Sequence, residues 1–82
     1  MKKDLKRMRK RGKNISELTT VLEILSTGQK LPEHYRDHQL SGNKADFREC
    51  HIEPDWLLIY KIESKLLELF LLRTGSHSDL YK

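Results

Sequence analysis

Apolar residues in the first 28 positions recur at the spacing of helices. Residues 2–11 predict a short helix that Gly12 could end, and Asn14 could cap a second helix with Glu17 in capping-box position. Gly28 is expected to end the second helix. The predicted inward positions fall at i, i+3 in the first helix and at i, i+3, i+4, i+7 in the second: Leu5 and Met8, then Leu18, Val21, Leu22 and Leu25.

Three strand-like segments fill the second half of the chain: residues 47–52, 56–62 and 66–73. The segments 53–55 and 63–65 between them are short enough for hairpins. The pattern predicts a meander of three antiparallel strands with the helices covering one face, an α+β fold. The predicted core residues of the sheet are Leu57, Ile59 and Phe70.

Between the helices and the strands, residues 29–45 are polar and show no periodicity. We predict that this stretch is an irregular loop, which carries His34 and His38. His34 is expected to be a solvated side chain.

The length and the cysteine count narrow the class of protein. A chain of 82 residues predicts a single domain over residues 1–82, with marginal stability. Its one cysteine excludes an internal disulfide and fits a reduced, cytoplasmic protein. No apolar run approaches the roughly 20 residues of a membrane span. We expect no signal peptide, because no apolar region follows the basic start of the chain.

Positive charge is concentrated at the N-terminus. Residues 1–13 carry eight basic and one acidic side chain, a balance of +7, whereas residues 14–82 carry a balance of −3. Clustered cations favour RNA phosphates through counterion release, although a solvated lysine-rich helix would look the same. The candidate RNA contacts are Lys2, Lys3, Lys6, Arg7, Lys10 and Arg11.

Candidate catalytic residues surround the strands. His51, Asp55, Arg73 and His77 fall within 28 residues, and the loop could bring His38 to them. Cleavage of an RNA phosphodiester without metal needs groups of these kinds: a base for the ribose 2′-OH, an acid for the leaving 5′-oxygen and a cation for the charged phosphorane.

Strand geometry indicates how these residues could meet. Alternation places His51 on the face away from the helices and Cys50 and Ile52 towards the core. In a meander the end of the third strand returns to the turn at 53–55, so Asp55 and His77 can converge there.

Several of these residues have structural alternatives. Arg73 could contact a phosphate or form an ion pair with Glu49 or Glu68. Trp56 could stack on a base or anchor the core. A metal site is not expected, because Cys50 and His51 point to opposite faces and no metal-binding spacing is present. A serine nucleophile is also not expected, since the chain has no Gly-x-Ser-x-Gly elbow.

Three blocks of sequence, residues 37–42, 47–60 and 72–81, resemble the signature blocks of the YafQ branch of the RelE/ParE toxin superfamily. The resemblance implies the RelE-like fold, with two helices packed on a twisted antiparallel sheet. The strand that usually precedes the first helix has no counterpart, because Met1 leads directly into the predicted helix. Tyr81 stands where the family usually has Phe, and is expected to stack on or position the substrate.

The resemblance further implies a type II toxin: a ribosome-dependent, metal-independent endoribonuclease that needs no cofactor. It would cut mRNA through a 2′,3′-cyclic phosphate, with Asp55 or His51 as base, His77 as acid, and Arg73 and His38 stabilising charge. Its partners would be a cognate antitoxin, in an assembly such as a heterotetramer, and the ribosome with its mRNA and rRNA. The alternative is a catalytically weak binding module that pairs with an antitoxin and regulates transcription.

Overall fold

Two longer helices, a short third helix and a four-stranded antiparallel sheet make up the computed structural model, which describes residues 1–63 and 68–81. The elements in chain order are α1 Lys2–Lys10, α2 Ile15–Ser26, β1 His38–Gln39, β2 Arg48–Glu53, β3 Trp56–Glu63, β4 Glu68–Gly75 and a short α3 His77–Leu80, with 3₁₀ turns at Glu33–Tyr35 and Gly42–Lys44. The strands lie in the order β1-β2-β3-β4. This is the predicted α+β fold.

Both predicted helices form, and their ends follow the sequence signals. Asn14 caps α2 by accepting a hydrogen bond of 3.0 Å from the Ser16 backbone N–H. The expected reciprocal bond from Glu17 is not formed, because its carboxyl lies against Glu53 instead. Gly12 follows α1 with φ of +79°, a left-handed conformation that glycine adopts without steric cost.

The core lies between the helices and the face of the sheet that they cover. Cys50 and Leu58 pair across β2 and β3 on this face, as strand alternation requires. Burial raises the pKa of the Cys50 thiol to about 12, so this side chain is an inert part of the core. The buried members of the core cluster are Met8, Leu18, Val21, Leu25, Leu31, Cys50, Ile52, Trp56, Leu58 and Tyr60.

The opposite face of the sheet is also partly apolar. Leu57 and Ile59 are buried, as predicted, but they pair with His51 and Glu49 on the face away from the helices. The catalytic candidate on β2, His51, therefore lies beside the apolar side chains of Leu57 and Ile59.

Phe70 was predicted to be a core residue, and this prediction was wrong. It pairs with Lys61 on the uncovered face and is 45% exposed. The pairing of β3 with β4 shifts by one residue between Ile59 and Tyr60, and this shift decides which β4 side chains reach the core.

The polar stretch 29–45 contains a strand that the sequence did not predict. β1 pairs with β2, with His38 opposite Glu49 and Gln39 opposite Arg48. Two residues are too few to show a periodicity, and so the sequence predicted three strands instead of four. Residues 64–67, which hold most of the predicted second hairpin turn and the start of the predicted third strand, lie outside the described residues.

Helix α1 is fixed to β4. Asp4 is only 3% exposed, and its carboxylate accepts a hydrogen bond of 3.2 Å from the Thr74 backbone N–H. No helix within residues 1–63 and 68–81 has both the length and the apolar character needed to cross a membrane.

Candidate active site

Three imidazole rings gather on the uncovered face near the ends of β2 and β4. His51 lies on β2, His77 begins α3 directly after β4, and His38 lies on β1. The ring centroids of His51 and His77 are 5.7 Å apart, and those of His38 and His51 are 6.4 Å apart. The fold thus brings together the three histidines that the sequence singled out.

Asp55, in the turn between β2 and β3, orients His77. One carboxylate oxygen accepts a hydrogen bond of 2.9 Å from the His77 backbone N–H and lies 2.7 Å from ring Nδ1. These two interactions hold the pKa of Asp55 below its ordinary value, so it stays charged near neutral pH. With the proton on Nδ1, the Nε2 atom of His77 is left free for chemistry. A carboxylate in this position fixes the tautomer and stabilises the imidazolium form.

Glu49 is a central member of the site. The sequence indicated it only as a possible ion-pair partner of Arg73. It is 6% exposed and lies two residues before His51 on the same face of β2. Its Oε1 atom is 3.6 Å from His38 Nε2 and 3.8 Å from His51 Nε2. Strand alternation already placed Glu49 beside His51, and this was the signal that could have identified it.

The other ring nitrogens of these two histidines face backbone carbonyls. His51 Nδ1 lies 3.2 Å from the Pro54 carbonyl oxygen, and His38 Nδ1 lies 2.8 Å from that of Arg36. A carbonyl can only accept, so each Nδ1 carries a proton. Both Nε2 atoms lie on the side of Glu49.

Tyr81, in the C-terminal tail, lies at the edge of the site and contacts Glu49. Its hydroxyl donates a hydrogen bond to Glu49 Oε2, while its ring is 43% exposed. Partial burial of the hydroxyl, and then the bond to Glu49, raises the pKa of Tyr81 to about 12. The ring lies 6.4 Å from that of His77, and Lys44 Nζ stands 5.9 Å above it.

Helix α3, which carries His77, is held by Asp79. The Ser76 side chain and Asp79 form a capping box, and Arg11 binds the Asp79 carboxylate through two bonds of 2.5 and 2.8 Å. The hydrogen bonds from Arg11, and to a smaller extent those from Ser76, keep the pKa of Asp79 well below its ordinary value. Gly75 permits the tight turn, because a Cβ there would lie 2.9 Å from the Asp79 side chain.

Arg73 is engaged within the protein, although not with the residues that the sequence suggested. Its Nε and Nη2 atoms donate to Asp4 at 2.8 and 3.2 Å, and neither Glu49 nor Glu68 is its partner among the described residues. Although burial acts against it, the hydrogen bonds from Arg73 and Thr74 lower the pKa of Asp4 below its ordinary value. The Arg73 side chain remains 47% exposed.

Trp56 is a core anchor and not a base-stacking platform. It is fully buried, and its indole Nε1 donates a hydrogen bond of 2.8 Å to the Thr74 hydroxyl. The prediction that Trp56 contacts nucleic acid was therefore wrong, because no face of the ring is open to a base.

The predicted basic surface on α1 divides into two groups. Arg7 and Arg11 face Asp79, with Arg7 Nη1 at 3.7 Å from its carboxylate, and their side chains remain 40% and 42% exposed. That these two arginines contact RNA stays a prediction. The four lysines are also exposed and have no such acidic partner among the described residues: Lys2, Lys3, Lys6 and Lys10.

A shallow depression of about 290 Å³ adjoins the site. It is lined by His34, Arg36, His51, Ile52, Glu53 and Pro54. The His34 ring centroid lies 4.1 Å from that of Tyr35. His34 is exposed, as predicted, but it lies close enough to the site to serve as a matched control.

The chain matches, over residues 1–82, the YafQ family of bacterial toxins of type II toxin–antitoxin systems. The mRNA interferase toxin YafQ of Escherichia coli K12 is 41% identical over 80 residues, which cover 96% of this chain and 85% of that protein.

Solved structures agree with this match. The chain is similar to the toxin in the E. coli DinJ–YafQ complex, with a TM-score of 0.90 and 37% identity over 100% of this chain and 90% of that one. It is also similar to a metal-bound toxin from Helicobacter pylori, with a TM-score of 0.91 and 47% identity over 99% of this chain and 90% of that one.

Proposed function

The chain belongs to the YafQ family of type II toxins, and we propose that it is a single-domain mRNA interferase that cleaves message on the ribosome. The reaction is attack of the ribose 2′-OH on the adjacent phosphate, which gives a 2′,3′-cyclic phosphate and a free 5′-OH. No metal or cofactor takes part in it.

The observation that carries this proposal is the set of three imidazoles whose Nε2 atoms are free while their Nδ1 atoms are held. Two proton transfers are needed, and histidine suits both because its ordinary pKa is about 6.5. Neither the core nor the fold requires such a set.

We assign His51 as the general base. Its Nε2 takes the proton from the 2′-OH, and Glu49 at 3.8 Å stabilises the imidazolium that forms. Asp55 was the other candidate, but its lowered pKa makes it a weak base. Its Oδ1 atom is also engaged by the backbone N–H and the ring Nδ1 of His77.

His77 is the general acid in this scheme. Asp55 orients the ring through Nδ1, and the Nε2–H of His77 gives its proton to the leaving 5′-oxygen as the P–O bond breaks. His38 and Arg73 stabilise the charge of the phosphorane, with Asp4 holding the guanidinium in position.

The ribosome would complete the substrate site. The catalytic groups lie on an open surface, with His77 and Asp55 more than half exposed and only a shallow depression beside them. A small protein with so little cleft of its own depends on its partner to orient the message. Because the proposed substrate is mRNA under translation, the proposed location of the protein is the cytoplasm.

A cognate antitoxin is the second partner, as DinJ is for the E. coli relative. A heterotetramer of two toxins and two antitoxins is the assembly that we propose. The alternative of a catalytically weak binding module has less support, because the proton-transfer groups converge.

Primer extension on a translated mRNA, with and without ribosomes, tests the proposal. The toxin is first freed of metal, and wild type is compared with His77→Gln and with the nearby control His34→Gln. Ribosome-dependent cuts that vanish only in His77→Gln are expected. Equal cutting of free RNA would refute ribosome dependence, and equal activity of His77→Gln would refute the assignment of the acid.

A further inference from the structure

Arg36 has a backbone conformation that few residue types adopt readily. It follows the 3₁₀ turn Glu33–Tyr35 with φ of 51° and ψ of 42°, in the left-handed region. Glycine, asparagine and aspartate are the usual residues there, because the Cβ of other side chains crowds the backbone. Within residues 1–63 and 68–81, every other residue with a positive φ is a glycine. An arginine held in this way suggests that its side chain has a role of its own.

The left-handed turn connects Arg36 to two histidines of the candidate site. Its carbonyl oxygen accepts the hydrogen bond of 2.8 Å from His38 Nδ1. Its side chain lines the same shallow depression as His51. The backbone of Arg36 therefore orients one imidazole of the site, while its guanidinium group borders the space beside another.

The positive charge of Arg36 is available to a ligand. The residue is exposed, and its guanidinium group forms no ion pair with any carboxylate in the part of the chain that the structure describes. Two nearby carboxylates are engaged by other cations. Asp37 accepts from Arg48 at 3.0 Å, and Glu53 accepts from Lys13 at 2.8 Å. These pairs leave Arg36 free to bind an anion.

A second depression, of about 270 Å³, shares Arg36 with the first. Lys30 also lines this second depression and is exposed. Glu33 is exposed at its border, but the two cations outnumber it. The two depressions together make a path from His51 past Arg36 to Lys30. Along this path the phosphates of a single RNA strand would meet positive charge.

We propose that Arg36 binds a phosphate of the message next to the one that is cleaved, and that the strand continues towards Lys30. A guanidinium group suits this role because its planar fork can donate two hydrogen bonds to one phosphate. Holding the neighbouring phosphate fixes the scissile one beside His51. Arg36 is thus a substrate-positioning residue, and this assignment rests on the proposed function.

Single-turnover cleavage at saturating ribosomes compares wild type with Arg36→Asn and Arg36→Lys. Asparagine tolerates the left-handed conformation, so Arg36→Asn removes the guanidinium group and keeps the turn that orients His38. We expect its rate to fall about 10- to 100-fold, the range for loss of a hydrogen bond to a charged group. Arg36→Lys keeps the charge without the planar fork and should recover part of this loss.

Arg9→Gln is the matched control. It removes an exposed arginine from α1 that lines neither depression, and it should cleave at the wild-type rate. Urea unfolding shows whether Arg36→Asn keeps the stability of wild type. If asparagine destabilises the turn, Arg36→Gly repeats the test, because glycine adopts a positive φ without steric cost.

Three outcomes would overturn the inference. A folded Arg36→Asn variant that cleaves at the wild-type rate would exclude the contact. Weaker ribosome affinity with a normal rate once bound would assign Arg36 to rRNA phosphates instead of the message. Weaker antitoxin binding with unchanged cleavage would identify an acidic peptide as its partner.

Failure of the proposed function gives a different result. A wild type that cleaves no message on the ribosome would refute that function and this inference together. Equal rates in an active wild type and in Arg36→Asn would refute the inference alone. Loss of cleavage in Arg36→Asn, partial recovery in Arg36→Lys and an unaffected Arg9→Gln would together support it.

Discussion

The Tyr81 hydroxyl donates a hydrogen bond to the buried carboxylate of Glu49, 32 positions earlier in the chain. This bond joins the C-terminal tail to the strand at the centre of the site. It leaves the other carboxylate oxygen to face His38 and His51. Glu49 thus connects most of the groups that the proposed reaction uses.

Replacing Tyr81 separates the roles of its ring and its hydroxyl. Tyr81→Phe keeps the exposed ring, and we expect cleavage within about three-fold of wild type. Tyr81→Ala removes the ring, and loss of base stacking, worth about 1–3 kcal/mol, should slow cleavage by about ten-fold or more. Single-turnover rates at saturating ribosomes check both variants. Equal rates in Tyr81→Phe and Tyr81→Ala would show that the ring contributes no stacking.

His77→Ala and Asp55→Ala should each lower cleavage by about 10²-fold or more, the range for lost acid–base catalysis. Both variants should also lose the ability to arrest growth. Unchanged circular dichroism and antitoxin binding would show that the fold survives, and His34→Ala serves as the control. Near-normal single-turnover cleavage by both variants would contradict their assigned roles.

Asp4→Asn should destabilise the fold by about 1–3 kcal/mol, because it removes the charge that binds Arg73 and the Thr74 N–H in a buried setting. Urea unfolding at pH 7 measures this change in the free energy of unfolding. Glu23→Gln, an exposed change on α2, should have little effect. An Asp4→Asn variant as stable as wild type would mean that the buried contact between α1 and β4 contributes nothing.

Acid should weaken the attachment of α3. The folded pKa of Asp79 lies well below that of an unfolded aspartate, about 3.9, so its stabilisation is complete above about pH 5 and is lost as the pH falls further. Asp79→Asn should therefore be less stable than wild type at pH 6, and the difference should shrink between pH 4 and pH 2. Urea unfolding across this range gives the comparison, and a constant difference would argue against the ion pair with Arg11.

Changing Lys2, Lys3, Lys6 and Lys10 to Gln should weaken ribosome binding without altering the chemistry of the bound complex. Four phosphate contacts correspond to a loss of about 10²-fold in affinity between 50 and 200 mM salt. Ribosome affinity against salt, for wild type and variant, tests this. A variant with the wild-type salt slope would identify the lysines as a solvated surface only.

The helices and most of the sheet could be predicted because each depends on local spacing. The grouping of the histidines followed from the order of the strands in a meander. The face of β2 that carries His51 followed from alternation, and Asn14 signalled the start of α2. Contacts between distant segments could not be predicted in this way. The pairing of Arg73 with Asp4, 69 positions apart, and of Trp56 with Thr74 depend on how the helices meet the strands.

Two further errors have the same origin. β1 is too short to carry a pattern, and it forms because β2 offers a free edge. Phe70 was assigned by its apolar character, but the irregular pairing of β3 with β4 set its orientation. Strand alternation placed Glu49 on the same face as His51. Its burial among the histidines depends on the contact from the Tyr81 hydroxyl, which comes from a distant part of the chain.

The bond between Arg11 and Asp79 spans 68 positions and anchors the helix that presents His77. During synthesis the chain emerges from its N-terminus, so the basic helix is exposed long before its partner has been made. The arrangement that holds His77 in place cannot form on a nascent chain until Asp79 has left the ribosome. Under the proposed function, this order of synthesis keeps the toxin harmless to the ribosome that is still making it.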